Sequence, residues 1–132
     1  MSAAQLGSSV IGMVLALRRG YSFDVTFMRG HPDNVARESI LQGTALSAPA
    51  TTLVAQAIAT TVLARRPSIV AVRAIGVIGA LDIPGYLSER LVRRRLSLAG
   101  WDTLESPLIV VEVSLAAAMP WLARRVAAQV RP

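Results

Sequence analysis

Two carboxylates interrupt the apolar stretches of this 132-residue chain. Asp82 closes an apolar run that begins at Ile69, and Glu112 lies inside a second run between Pro107 and Ala123. Because an ionisable side chain within such a run is costly in lipid, each carboxylate is a candidate functional group. Two carboxylates close together in a low dielectric resist ionising together, which favours proton binding. The alternative is that both neutralise nearby arginines and simply hold the helices together.

Spacing places these two carboxylates at a similar depth. Asp82 lies five residues before the end of the stretch 69–87, and Glu112 lies five residues after the start of the stretch 107–123. If the two helices are antiparallel, both groups approach the same end. Arg73 falls nearly opposite Asp82 on its helix, so the two charges cannot pair there. Arg73 is therefore expected either to join an ion pair with another helix or to snorkel toward Arg65 and Arg66.

Four mainly apolar stretches reach or approach the roughly 20 residues that a helix needs to cross a bilayer. They cover residues 3–17, 40–64, 69–87 and 107–123. We expect an all-α fold, a polytopic membrane four-helix bundle formed by a single domain, 1–132. The first stretch is the shortest, and its alternative is an interfacial or buried amphipathic helix. It is expected to stay uncleaved, because Arg18 and Arg19 follow it and no basic residue precedes it.

The segment 87–98 predicts an additional amphipathic helix on the membrane surface. Its apolar and polar residues occupy opposite halves of a helical wheel, which suits an anionic membrane surface. The expected contacts with anionic lipids are Arg90, Arg93, Arg94 and Arg95, of which Arg95 alone lies on the wrong side of the wheel. The alternative is an ordinary loop helix that only marks the cytoplasmic side.

Aromatic residues predict where the chain meets the membrane interface. The segment from Tyr21 to Phe27 alternates apolar and polar residues, which is typical of a strand, but no partner strand is apparent. We favour an interfacial segment in which Tyr21 and Phe23 lie at the level of the lipid headgroups. Trp101 and Trp121 are the other expected interfacial anchors.

Composition excludes several classes of function. The net charge is +6, and all fourteen basic residues are arginines that gather beside the apolar stretches. With few aromatic residues and no nucleic-acid motif, we expect lipids rather than nucleic acid as the partner of these charges. The chain has one histidine and no cysteine, so neither a metal site nor a thiol nucleophile is expected. No glycine-rich phosphate loop appears, and we expect no cofactor and no enzymatic activity.

The run from Ile75 to Ala80, the segment from Gly85 to Glu89 and the apolar stretch that follows form a recognisable pattern. It resembles that of small four-span hypothetical membrane proteins common in bacteria with GC-rich genomes. The resemblance implies an integral-membrane location and no particular activity. Small multidrug transporters are also four-span proteins of similar length, but their working carboxylate lies in the first span. This chain has no acid there, so their mechanism is not expected to apply.

The arginine distribution predicts a weak orientation. The first and third loops hold eight arginines, and the termini and second loop hold five. The positive-inside rule then places those two loops in the cytoplasm, with dual topology as an alternative. We expect a multi-pass protein of the inner (plasma) membrane, acting as a non-enzymatic accessory or packing subunit. The alternatives are a small homo-oligomeric proton-coupled transporter that uses the buried carboxylates, and a soluble helical interaction domain.

Overall fold

The computed structural model describes residues 1–25 and 28–129, and helices make up most of this part of the chain. The expected all-α class is confirmed. The four long helices are α1 (Ser2–Arg19), α3 (Ala50–Arg65), α4 (Ile69–Ser88) and α6 (Glu105–Gln129). Two short helices, α2 (Val35–Glu38) and α5 (Arg90–Arg95), lie in the connections. The other elements are strands β1 (Asp24–Val25) and β2 (Met28–Arg29) and two 3-10 turns, Pro32–Asn34 and Leu98–Gly100.

The long helices pack as an antiparallel bundle in which α4 and α6 make the most extensive contact. A Cβ added to Gly79 of α4 would stand 2.6 Å from the carbonyl oxygen of Ala116, closer than real Cβ atoms approach. Small residues bring helix backbones together in this way. At the start of α1, the Ser2 hydroxyl lies 2.6 Å from that of Thr60, near the end of α3, so these helices run in opposite directions.

Two apolar clusters lie toward opposite ends of the bundle. The cluster nearer the long loops is formed by Ala16, Leu46, Tyr86, Val92 and Ile109. The cluster nearer the α3–α4 turn is formed by Ala59, Ala71, Ile75 and Met119. Between them along the chain, α4 carries Asp82 and α6 carries Glu112, so a polar layer separates the two apolar clusters.

The predicted helix over 40–64 is wrong in its first ten residues. Helix α3 begins only at Ala50, because Pro49 lacks a backbone N–H and occupies the position before the helix. Residues 40–49 instead form a loop, closed by a 2.9 Å hydrogen bond from the Ala50 N–H to the Ser39 carbonyl. Gly43 adopts a positive φ of 84°, which suits glycine. Residues 43–48 are buried, and we call this segment the buried loop.

The predicted surface helix over 87–98 is also wrong. Leu87 belongs to α4, Glu89 is extended, and the helix that follows, α5, spans only Arg90–Arg95. The break occurs because Glu89 turns inward: it forms an isolated antiparallel bridge with Val25 and is 6% exposed. A single short helix therefore replaces the long amphipathic one.

The alternating segment after Tyr21 forms the small hairpin β1–β2, in which Asp24 pairs with Arg29. The alternation of apolar and polar residues therefore did indicate a strand. Its partner, which was not apparent from the sequence, is β2. Phe23, which is predicted to be an interfacial anchor, is 4% exposed, and its ring packs on Gly30. Thr26 and Phe27, which end the predicted interfacial segment, lie outside the described residues.

Within the described residues, two helices are long and apolar enough to cross a membrane, Ile69–Ser88 and Glu105–Gln129. They correspond to the predicted spans 69–87 and 107–123. The other two long helices do not meet the same standard of length and hydropathy. Helix α3 has 16 residues, about 24 Å at 1.5 Å per residue, and α1 carries the polar residues Gln5, Ser8 and Ser9.

The outer faces of the four long helices are mainly apolar, and the exposed Arg73 of α4 is a charged exception. The most exposed side chains include Val70 at 74%, Leu81 at 67% and Ile58 at 60%. Helix α1 adds Val10, Ile11 and Val14, and α6 adds Val110 and Val111. The buried side chains, in contrast, include glutamines, serines and carboxylates. The bundle thus has an apolar exterior around a partly polar interior.

Candidate functional site

Three helices contribute to a chain of polar side chains around Asp82. The Gln5 amide Nε2 of α1 donates to Asp82 Oδ2 across 3.3 Å. The Gln56 amide Nε2 of α3 donates in turn to Gln5 Oε1. Both glutamines are fully buried, and Gln56 Oε1 has no hydrogen-bond partner among the described residues. The amides orient Asp82, but they bring it no positive charge.

Glu112 lies in the same layer, on α6. Its carboxyl group faces the hydroxyls of Ser9 and Tyr86, which are 3.3 Å apart. Glu112 is 1% exposed, and its Oε1 has no hydrogen-bond partner in the part of the chain that the structure describes. The structure brings Glu112 within electrostatic reach of Asp82, as the spacing along the two helices predicted.

Gly12 lets the buried loop approach this carboxylate. The Glu112 Oε1 and the carbonyl oxygen of Leu46 both lie within 3.2 Å of the position that a Cβ on Gly12 would occupy. No backbone hydrogen bond of the described residues ends on that carbonyl. Two oxygen acceptors, one of them a carboxylate, therefore face the same small space beside α1.

No arginine that the structure describes neutralises this layer. Among the described residues, neither Asp82 nor Glu112 forms an ion pair. Arg73, proposed from the sequence as a proton or ion-pair candidate, is exposed on α4 and has no ion pair in the same part of the chain. The alternative predicted from the sequence was that both carboxylates pair with nearby arginines. Their surroundings in the described residues contain no such pair.

A fully buried carboxylate that does pair with arginines is Glu105, which the sequence analysis missed. Its fully buried side chain contacts Arg19 of α1 and accepts a 2.6 Å hydrogen bond from Arg95 Nε. This arginine clamp, formed by Arg19, Glu105 and Arg95, ties the end of α1 and α5 to the start of α6. The one available signal was Arg95, whose position disagreed with the amphipathic pattern of its segment.

The start of α6 is fixed by Asp102. Its Oδ1 accepts hydrogen bonds from the backbone N–H groups of Leu104 at 2.9 Å and Glu105 at 2.8 Å. These bonds stabilise the ionised form and hold the pKa of Asp102 below its usual range. A fixed helix start also holds Glu105 in place for the arginine clamp.

Glu89 joins the hairpin to the end of α4. Its Oε2 accepts a 2.9 Å hydrogen bond from the backbone N–H of Asp24. Burial raises the pKa of Glu89 to about 7; the Asp24 N–H opposes that shift, the Asp24 carboxylate adds to it, and Arg93 opposes it. Contact between hairpin and helix is thus coupled to the protonation of one side chain.

A cleft of 480 Å³ opens between the second half of α4, the start of α3 and the buried loop. Asp82 and Tyr86 line its α4 wall, with Ile78 and Leu81 beside them, and Glu89 lines the cleft just beyond the end of that helix. The other walls are formed by the amide side chain of Gln42 and by small apolar and hydroxyl side chains. No arginine or histidine of the described residues lines the cleft.

The predicted lipid contacts divide into two groups. Arg90, Arg93 and Arg94 are exposed, whereas Arg95 is half-buried in the arginine clamp. Trp101 and Trp121, two predicted interfacial anchors, are 52% and 53% exposed. Tyr21, the other aromatic anchor, is half-buried beside the clamp, where its hydroxyl is near Arg19.

Arg125 stacks on Trp121, with its guanidinium carbon 3.9 Å from the ring centroid. Such stacking keeps a charged group and an aromatic ring together at an exposed position.

Among residues 1–25 and 28–129, no group of three or more His, Cys, Asp or Glu side chains is placed to hold a metal ion. No protein family, curated protein or solved structure matches this chain.

Proposed function

We propose that this chain is a non-enzymatic, multi-pass protein of the inner (plasma) membrane, and that its polar layer binds a proton as part of a small carrier. The observation that supports a membrane location is the apolar exterior around a polar interior. In water, exposed side chains such as Val70, Val77 and Leu81 would be an aggregation liability. In lipid they are the favourable surface, while polar groups turn inward toward one another.

The four long helices then form one bundle in the membrane. Helices α4 and α6 cross it, and α1 and α3 pack against them with their own apolar faces toward lipid. The non-helical backbone of the buried loop is compatible with this arrangement, because irregular backbone is tolerated at membrane depth when protein surrounds it.

Cell fractionation tests the location. We expect the protein in the membrane fraction after a carbonate wash and its release only by detergent. Recovery of monomer from the cytosolic fraction without detergent would instead support a soluble helical interaction domain. Reporter fusions in the loop after α1 and at the C-terminus then determine whether the first and third loops face the cytoplasm, as the arginine distribution predicts.

The choice between carrier and packing subunit depends on what the buried carboxylates contact. In a packing subunit we expect buried carboxylates to be neutralised by permanent partners. Glu105 is neutralised in this way by the two arginines of the arginine clamp. Asp82 and Glu112 have hydroxyl and amide neighbours instead. Carboxylates in that setting exchange protons without breaking an ion pair, and this contrast supports the carrier.

Proton flux into liposomes that contain a pH-sensitive dye tests the carrier. We expect the purified protein to collapse an imposed pH gradient, and the double variant Asp82→Asn/Glu112→Gln to match empty liposomes. Asp33→Asn, at an exposed carboxylate, is the matched control and is expected to retain the flux. Unchanged flux in the double variant, or no flux in the wild type, would instead assign the protein to accessory or packing subunits.

A further inference from the structure

We propose that the cleft beside α4 binds a small lipophilic organic cation, held by Asp82 and by the ring of Tyr86. This inference deepens the carrier proposal and rests on it, because it names the class of molecule that would exchange with the proton. The cleft has a volume of 480 Å³, within the range of sites that enclose a small organic molecule.

Charge is the first argument. The chain carries fourteen arginines and a net charge of +6, yet the two ionisable acids of this cleft, Asp82 and Glu89, are accompanied by no basic side chain of the described residues in its lining. Arg93 acts on Glu89 from outside the cleft, whereas no arginine is among the groups that act on Asp82. A negative site in an otherwise basic protein favours a cation over an anion or a neutral molecule.

The carboxylate oxygen of Asp82 that accepts no hydrogen bond from the described residues is the second argument. The residue is 7% exposed and lines the cleft, and within the described part of the chain its Oδ2 alone accepts a hydrogen bond, from Gln5. No hydrogen bond of the described residues ends on Oδ1. Asp82 Oδ1 is not one of the buried oxygens without a partner, so it remains accessible beside the cleft, where a cationic ligand can reach it.

The walls explain why the cation is lipophilic. Most of the lining is apolar, including Ala55, Ile78 and Leu81, and the exposed face of Leu81 continues onto the apolar exterior of the bundle. Tyr86 adds an aromatic ring, a group that attracts alkylated ammonium and phosphonium ions. A ligand can therefore reach Asp82 along an apolar wall while its charge meets the carboxylate.

Binding to the detergent-solubilised protein tests the inference independently of transport. We would compare tetraphenylphosphonium with tetraphenylborate by equilibrium dialysis, with empty micelles as the blank, because the two ions have the same shape and opposite charge. Saturable binding of the phosphonium alone is expected. Equal binding of both ions, or of neither, would overturn the proposal.

Two variants separate charge from shape. Asp82→Asn removes the charge and is expected to weaken phosphonium binding at least about tenfold. Gly85→Leu fills the cleft sterically: a Cβ there meets no atom within 4 Å, so the fold tolerates it, and binding is expected to be lost. Gly7→Leu is the matched control, since Gly7 also has open space around it but lies on α1 outside the cleft.

The outcomes distinguish this inference from the carrier proposal. If binding follows the expected pattern but liposomes show no proton flux, the cation site stands and the carrier is wrong. If flux depends on Asp82 and Glu112 but Asp82→Asn and Gly85→Leu bind the phosphonium like the wild type, the cleft is not a cation site.

Discussion

Glu105 and Glu112 lie seven residues apart on the same helix, two turns along one face. The exposed fraction is 0% for Glu105 and 1% for Glu112. Glu105 is held by Arg19 and Arg95, whereas Glu112 faces hydroxyls and retains an oxygen with no partner among the described residues. Burial is therefore the same, and the difference lies in the neighbours. The comparison teaches that a buried carboxylate is structural or available for exchange according to the charge that meets it, not according to its depth.

The strongest test of that contrast is Glu105→Gln. The substitution leaves two arginines without the negative carboxylate that they share. Removing one partner of a buried ion pair is strongly destabilising. We expect a loss of about 2 kcal/mol, less than for a fully buried pair because the Arg19 side chain is 38% exposed. Thermal unfolding in detergent measures it, with Asp33→Asn as the control. A variant as stable as the wild type would show that the arginine clamp does not hold the bundle.

Gly12→Val tests the close packing around Glu112. The added side chain would displace the Leu46 carbonyl and the Glu112 carboxylate, and overpacking of this kind costs about 1–3 kcal/mol. Gly7→Val, the same substitution on the same helix, adds its side chain where nothing lies within 4 Å. Unfolding of the two variants is compared under one set of conditions. Equal stability would mean that the buried loop does not approach α1 as described.

Glu89 sharpens the comparison with a carboxylate at the edge of the bundle. Its pKa is raised from 4.5 to about 7, so between those values the folded protein binds more protons than the unfolded chain. The associated stability is fully present below pH 4.5 and is lost as the pH rises through about 7. A pH series of unfolding measurements is expected to show this fall in the wild type.

The control for that series is Glu89→Gln, which keeps an acceptor for the Asp24 N–H but does not titrate. We expect its stability to change less with pH across the same window. Parallel profiles for the two proteins would contradict the role assigned to Glu89.

The smallest effect is expected at Asp82 and Glu112 themselves. Because neither is paired with an arginine in the described residues, Asp82→Asn and Glu112→Gln remove the cost of a buried charge without stranding a partner. We expect each variant to keep the stability of the wild type within about 1 kcal/mol, or to gain stability. A loss as large as that of Glu105→Gln would make all three carboxylates structural and remove the contrast.

The two most apolar helices were predictable because each is a long run with a clear composition. The expected stretch 69–87 corresponds to Ile69–Ser88, and 107–123 lies within Glu105–Gln129. The stretch 40–64 was misjudged because composition cannot tell a buried loop from a buried helix. There Gly43 and Pro49 determine the backbone, and the loop satisfies its own hydrogen bonds at Ser39 and Thr44.

The candidate site was predicted in part. The spacing of Asp82 and Glu112 along antiparallel helices indicated that they share a depth, since rise per residue is constant in a helix. Their partners were not predictable: Gln5 and Asp82 are 77 residues apart, and Arg19 and Glu105 are 86 apart. Glu105 sits beside the end of an apolar run, where a charge usually faces water, so no local pattern marked it as buried.

By itself, the sequence determined the helical class, the apolar runs of α4 and α6 and the presence of two acids within them, because these follow from composition and helical period. Only the tertiary structure decided which acid meets arginine, where the chain loops back into the bundle, and which side of α4 borders a cleft. Those features depend on contacts between residues far apart in the chain, and a contact across the bundle leaves no periodic trace in the order of the residues.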